Sequence, residues 1–280
     1  MIMITLVRIE LYKIFSKPRT YIGFVAIAFL VPLIQVALYI DGETYIEFSL
    51  QNLKEAFEFQ GNLLNGFLAT YIILATLYVH IPFLIALVTG DLIAGEAASG
   101  TLKILLTRKA DRTMIVVSKF IAGMIYTATL IFFMAIISLV LGLAIMGTGD
   151  LIVIKNTIYV FAENDVLWRL IAAFCFGLIA MWCVGALAFM FSAFSDNAIG
   201  PIILTMTVII SFIIISAIDL SIFRAVKPFM FTNYMGSWKL FFEDPVDYNK
   251  VILSAGVLIF HILGFLGISI YHFNRKDILT

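Results

Sequence analysis

The chain has 280 residues, 62% hydrophobic and 13% charged, with a mean hydropathy of +1.08. That balance excludes a soluble globular domain and a disordered chain alike. Eighteen basic residues cancel eighteen acidic ones, so the information lies in where the charges fall.

The first fifteen residues read as a helix lying on the membrane surface. Ile4, Val7, Leu11, Ile14 and Phe15 share one face at helical spacing, with Glu10, Lys13 and Lys17 opposite. Leu6 and Ile9 blur the stripe, and a basic flank that only sets topology is the competing reading. Pro18 cannot continue a helix interior, which places the interfacial element within residues 1–17. Arg8, Lys13, Lys17 and Arg19 precede the first span. No short apolar region with a small-residue cleavage site follows them, so a cleavable signal peptide is not expected.

Six apolar runs come next, near residues 20–40, 63–89, 120–146, 170–194, 197–218 and 251–273, and none contains Asp, Glu, Lys or Arg. A bilayer core ~30 Å thick takes about 20 residues at a 1.5 Å rise, so each run is long enough to cross. Backbone polar groups in lipid must be satisfied within their own segment, which makes the runs helices. The expected fold is an all-α integral membrane protein, one transmembrane domain over residues 1–280. Proton relays, ion-coupled carriers and voltage sensors keep ionisable groups inside the membrane. This chain keeps them outside the runs, so the energy for any work is expected from another subunit. Pro32 and Pro82 are expected to kink their spans, and Pro201 sits in the first turn of the fifth, where proline is tolerated. His80, two residues before Pro82, is placed to bond a carbonyl freed by the kink.

Basic residues in short loops mark the cytoplasmic side. The second connection carries Lys103, Arg108, Lys109, Arg112 and Lys119, and the C-terminal tail Arg275 and Lys276. The first connection sets Lys54 against Asp41, Glu43, Glu47, Glu55 and Glu58, and the third sets Lys155 against Asp150, Glu163 and Asp165. Six spans then leave both termini cytoplasmic, in a multi-pass cell-membrane protein. The fifth connection, 219–250, departs from the rule with Arg224, Lys227, Lys239 and Lys250. Its aromatics, Phe223, Phe229, Phe231, Tyr234, Trp238, Phe241, Phe242 and Tyr248, suit the membrane–water boundary. The stretch reads as short interfacial or re-entrant helices broken at Lys227-Pro228 and near Gly236. Through the external segment 41–62 and into the start of the second run, Leu50, Leu53, Phe57 and Leu64 recur at roughly helical spacing. Ser195-Asp196-Asn197 is short enough to force a tight hairpin between spans four and five. No internal repeat is visible, which counts against transporter folds built from inverted repeats.

Catalytic constellations are absent from the sequence. Cys175 and Cys183 fall on one span, ~12 Å apart along a helix axis and too far for a disulfide; they read as small buried hydrophobes. His80, His261 and His272 lack metal-ligand spacing, and no Ser/Lys dyad or carboxylate pair suits a membrane protease. Gly95-Glu-Ala-Ala-Ser-Gly100-Thr101 has the spacing of a phosphate loop. Thr101 stands where the lysine is required and no strand precedes it, so ATP binding by this chain is rejected. No cofactor, metal or nucleic-acid partner is expected, and no enzymatic activity.

Read whole, the second connection is the most informative stretch. It runs Thr89-Gly-Asp-Leu-Ile-Ala-Gly-Glu-Ala-Ala-Ser-Gly-Thr-Leu-Lys-Ile-Leu-Leu-Thr-Arg-Lys-Ala-Asp-Arg112, followed by Lys119. It resembles the cytoplasmic loop of ATP-binding-cassette transporter permeases of the type-2 exporter family. In that family a glutamate, Gly-Thr, paired leucines, an arginine and a lysine recur between spans two and three. Here they are Glu96, Gly100-Thr101, Leu105-Leu106, Arg112 and Lys119. Lys109 stands where the family often has a proline, a departure that bears on the local turn. The order of surface helix, six spans, long second loop, short fourth loop and interfacial fifth connection matches along the whole chain.

The resemblance implies that the loop forms a coupling helix docking on a cytoplasmic ATPase subunit. Ile93, Ala97, Leu102 and Leu105 would supply an apolar strip, and Glu96, Lys103, Arg108 and Arg112 complementary charge. The residues assigned to coupling are Glu96, Gly100, Thr101, Leu102, Leu105, Leu106, Arg108 and Arg112. Expected partners are two ATPase chains, a second permease copy or a related permease, and membrane lipid. Spans one, two and five would line the pathway by the same resemblance. Thr70, Thr76, Ser211 and Ser216 would serve either packing or the pathway. A non-transporting scaffold or immunity protein of similar fold, a secondary transporter and an intramembrane enzyme are the competing readings. An apolar lumen would suit lipids, hydrophobic drugs or amphipathic peptides.

Overall fold

The computed structural model describes residues 2–50, 63–101, 111–154, 157–218 and 220–276. Leu102, Leu105, Leu106 and Arg108 of the expected coupling set lie outside them, as do Lys103, Lys109, Leu53 and Phe57. Helix α1 (Ile2–Phe15) leads into α2 (Pro18–Leu50), and a bent pair follows, α3 (Gly66–Leu77) and α4 (Ile81–Thr89). A five-residue helix, α5 (Ala94–Ala98), opens the second connection, and α6 (Arg112–Met146) leaves it. Then come α7 (Glu163–Phe194), α8 (Gly200–Ala217), two short helices α9 (Ser221–Arg224) and α10 (Thr232–Met235), and α11 (Tyr248–Arg275).

Five helices, among them Pro18–Gly42 within α2, are long and apolar enough to cross a membrane; the α3–α4 pair, bent by 55°, makes up to a sixth crossing. The sequence expectation of an all-α membrane architecture therefore holds for the spans. The helix α7 is the central post: 72% of its most apolar window is buried, against 28% or less for the other four long helices. Helices α4, α6, α8 and α11 pack on it, and α1, α2 and α3 pack on α6. The outward sides of α2, α8 and α11 carry exposed Phe29, Leu33, Ile203, Ile210, Phe260 and Leu263. Apolar side chains in such number face lipid or another chain, since water would not tolerate them.

Close backbone approach fixes α3 against α6. A Cβ on Gly66 would fall 2.5 Å from the Gly142 carbonyl carbon, so no larger residue fits the crossing. Beside it Thr70 Oγ1 donates to the carbonyls of Gly66 at 2.8 Å and Ser138 at 3.1 Å, and Gln35 Nε2 donates to Ser138 at 2.7 Å. Thr70 thus serves packing. Ser216, by contrast, bonds Asn233 Oδ1 at 2.5 Å in the fifth connection, and Thr76 and Ser211 are exposed.

The second run is broken where the sequence suggested a kink. His80 N–H reaches back only to Leu77 O at 2.8 Å, leaving the Thr76 carbonyl to His80 Nδ1 at 3.1 Å, and Pro82 has no N–H to restore the ladder. Pro32 behaves differently: the non-helical backbone inside α2 falls at Asp41, with φ −131° and ψ 16°.

Three further expectations are corrected, and one connection of the all-α architecture adds an unexpected element: Leu151–Ile154 (β1) and Ile158–Phe161 (β2) pair antiparallel, Leu151 facing Phe161. Leu151, Val153 and Phe161 are buried beneath this hairpin, giving its alternation a core to face. The fifth connection forms short helices, including 3₁₀ turns at Lys227–Phe229 and Gly236–Phe242. Its aromatics, however, are largely core. Trp238, Phe242 and Phe231 are buried, the first two against Tyr71 at 5.8 and 4.9 Å between ring centroids, and Tyr78 Oη donates to Met235 O at 2.6 Å. Phe229 and Tyr248 remain exposed. Cys175 is exposed while Cys183 is buried, so the two cysteines do not share one environment.

The last correction concerns α1. Glu10 and Ile14 are its buried residues, while Ile4 and Tyr12 are 75% exposed. The polar stripe read as facing water turns Glu10 into the protein, because the buried Lys119 ammonium awaits it there.

Candidate functional site

That polar stripe meets the second connection at the end of the bundle where α1, α4, α5 and α6 converge. Lys119 lies in the second turn and beyond of α6, among Ile115, Val116 and Phe120, and is 1% exposed. Its Nζ is 2.8 Å from Glu10 Oε2 and 2.7 Å from Glu96 Oε1. Lys13, one helical turn after Glu10, bonds Glu10 Oε1 at 2.8 Å and Glu96 Oε1 at 2.9 Å. Two carboxylates and two ammonium groups thus form a closed ring joining α1, α5 and α6. A lysine taken out of water loses several kcal/mol of hydration, on the order of the attraction regained from a paired carboxylate. Two carboxylates at hydrogen-bond distance are what allow Lys119 to be buried here.

The base of the loop is fixed separately. Asp91, 2% exposed, takes Lys17 Nζ at 2.8 Å and lies 2.6 Å from Arg19 Nη1. Ser192 of α7 caps α5, its Oγ accepting from the N–H groups of Ile93 at 3.0 Å and Ala94 at 2.9 Å. Gly95 leaves room for the Asp91 carboxylate, since a Cβ there would sit 2.1 Å from Oδ1. Gly100 ends α5 at φ +70°, a left-handed conformation that glycine adopts without strain. A cavity between these groups is lined by Glu10, Lys13, Lys17, Arg19, Asp91 and Glu96, with Ile14, Val88 and Leu92 behind them.

Electrostatics follow from the geometry. Burial alone would raise the Glu96 carboxyl, but the Lys119 and Lys13 ammonium groups outweigh it and hold it below the ordinary 4.5. Burial would likewise lower Lys13, and Glu10 and Glu96 outweigh it, leaving its ammonium above the ordinary 10.5. Both shifts favour the ionised ring.

The structure places the expected coupling residues differently from one another. Glu96 faces inward into the ring. Arg112 also turns back on the protein, donating from Nη1 to the carbonyls of Lys276 at 3.0 Å and Asn274 at 3.3 Å, at the end of α11. Ile93 is buried and Ala97 packs on the core, so neither offers the apolar docking strip expected of them. The outward surface of the described loop is Ala98, Ser99, Gly100 and Thr101. Ser99 and Thr101 hydroxyls lie 2.9 Å apart and both bond Glu96 O, closing the turn.

Sequence reasoning missed Glu10, Lys13, Lys17, Arg19, Asp91 and Ser192 as members of one site. A signal existed for Lys119: a lone cation inside the run Met114-Ile-Val-Val-Ser-Lys-Phe120 is costly unless paired. Glu10 among apolar helical neighbours was its natural partner. No group of three or more His, Cys, Asp or Glu able to hold a metal occurs among the described residues.

No curated protein matches the chain. A family model does, over residues 23–279, that is, from just inside the first span to the tail. The chain belongs to the family described as Protein of unknown function (DUF2705).

Proposed function

We propose that the chain is the membrane subunit of an ATP-driven exporter, the pathway-forming partner of a separate cytoplasmic ATPase. Two permease chains, identical or related, would enclose the pathway, and both termini of each would be cytoplasmic. The observation that carries this reading is the bonding of Glu96 to Lys13 and Lys119. It ties the loop bearing the type-2 exporter sequence pattern to the N-terminal helix and to the third span. A force applied to that loop would reach α1 and α6 directly, and the start of α2 through the Asp91–Arg19 pair. Glu96 and Arg112 then act by setting the loop's position, and contact with the ATPase falls to the outward turn.

The test is charge reversal, with hydrolysis and transport measured together in proteoliposomes holding the ATPase. Glu96→Lys puts a third cation against Lys13 and Lys119, and is expected to leave membrane insertion intact while hydrolysis loses its coupling to transport. Reversal at Glu47 or Glu55, on the opposite side, is the control. Normal coupled transport in Glu96→Lys would remove the loop from the mechanism. An ATPase that binds but drives no transport in the wild-type complex would favour the scaffold reading instead.

A further inference from the structure

We infer that the Glu96 contact is a releasable latch, with Glu10 built in as the standing partner of both lysines. The inference extends the reading of the loop as a coupling element, but it stands on the geometry of the ring alone. Glu10 meets the two lysines with separate oxygens, Oε1 to Lys13 and Oε2 to Lys119, each at 2.8 Å. Glu96 meets both through a single oxygen, Oε1, at 2.9 and 2.7 Å. Its Oε2 is buried with no protein donor. The two carboxylates are therefore not equivalent.

Withdrawal of Glu96 leaves each lysine with a carboxylate oxygen of its own, so Lys119 is never a buried cation without a partner. Withdrawal of Glu10 leaves both lysines to a single carboxylate, which holds them through one shared oxygen. A buried charge is costly mainly when its partner is removed, so the ring tolerates the first loss and not the second. The surrounding anchors divide in the same way. Asp91 with Lys17 and Arg19, and Ser192 beneath Ile93 and Ala94, hold the base of the loop without Glu96. Glu96 lies beyond that base, on the turn that ends at the left-handed Gly100. The loop turn can thus swing from a fixed base while α1 and α6 stay clamped by Glu10.

The experiment compares Glu96→Gln and Glu10→Gln in the full-length chain in lipid nanodiscs, with no ATPase present. Thermal unfolding reports the bundle, and hydrogen–deuterium exchange over residues 94–101 reports the loop. The expected result for Glu96→Gln is a nearly unchanged unfolding midpoint with several-fold faster exchange in 94–101. Glu10→Gln is expected to lower the midpoint markedly or to prevent folding, and Glu10→Asp supplies a milder variant that should lie between. Equal midpoint losses in the two Gln variants would overturn the latch, as would a misfolded Glu96→Gln or unchanged exchange over 94–101. Because no ATPase enters the assay, these outcomes are independent of whether the coupling proposal succeeds.

Discussion

Replacing Lys119 with methionine keeps the length and most of the volume of the side chain while deleting its charge. The ammonium is 1% exposed and lies within 2.8 Å of both Glu10 and Glu96. Removing one member of a buried pair costs about 3–5 kcal/mol, because the remaining charge is stranded. Lys13 already touches both carboxylates and its side chain is 38% exposed. It absorbs part of the imbalance, which puts Lys119→Met near the low end, about 3 kcal/mol. In a chain of this size each kcal/mol moves the unfolding midpoint by about 2–3 °C, so a drop of roughly 6–9 °C is expected. The assay is thermal unfolding in mild detergent, with Lys119→Met/Glu96→Gln as the companion. The double variant restores a neutral Glu10–Lys13 pair, so it should recover part of the loss; such non-additivity is the mark of a shared network. A midpoint within ~2 °C of wild type, or a double variant showing the plain sum of two losses, would refute the ring as a structural unit.

Other perturbations test neighbouring parts. Gly66→Ala or Gly142→Ala forces a methyl into backbone of the facing helix and should cost about 1–3 kcal/mol, read as a lower unfolding midpoint. Gly264→Ala, with nothing within 4 Å, should be silent. The pH dependence has a definite sign. Glu96 is depressed below 4.5, so its contribution to holding the loop is complete above that value and is lost as pH falls through the folded-state pKa. Lys13 is raised above 10.5, so its contribution is complete below that value and is lost as pH rises through its folded-state pKa. Exchange over 94–101, compared between wild type and Glu96→Gln at matched pH, should therefore differ across the neutral range and converge under acid. For topology, cysteines at Ser99 and Arg275 in a background lacking Cys175 and Cys183 should be shielded from impermeant thiol reagents in intact cells, while one at Val160 should label. Labelling of Ser99 but not Val160 would invert the proposed orientation.

The spans were legible because lipid leaves the sequence little freedom: a charge-free run of sufficient length has no other stable place. Helix ends were less so. The fourth span, α7, begins at Glu163, well before its apolar run, because Arg169 finds Asp165 at 2.8 Å, the Phe241 carbonyl at 2.7 Å and the Phe161 ring at 4.2 Å. The burial of Trp238 and Phe242 depends on Tyr71 and Tyr78 of a different span, and no local pattern announces it. The hairpin at 151–161 consists of two four-residue strands, too short to rise above the connection around them. In the candidate site, the pattern around Glu96 was readable but its direction was not. Glu10 and Lys119 are 109 residues apart in sequence, and only the packing of α1 on α6 reveals that the polar stripe looks inward.

The central claim is that this chain serves a separate ATPase. Tagged full-length chain purified from its native membrane in mild detergent, followed by mass spectrometry of the complex and a hydrolysis assay, measures that directly. The account predicts a stoichiometric partner bearing Walker motifs, ATP hydrolysis by the complex and none by this chain once the partner is stripped away. A pure chain that is fully assembled without any such partner, or that hydrolyses ATP by itself, would contradict it.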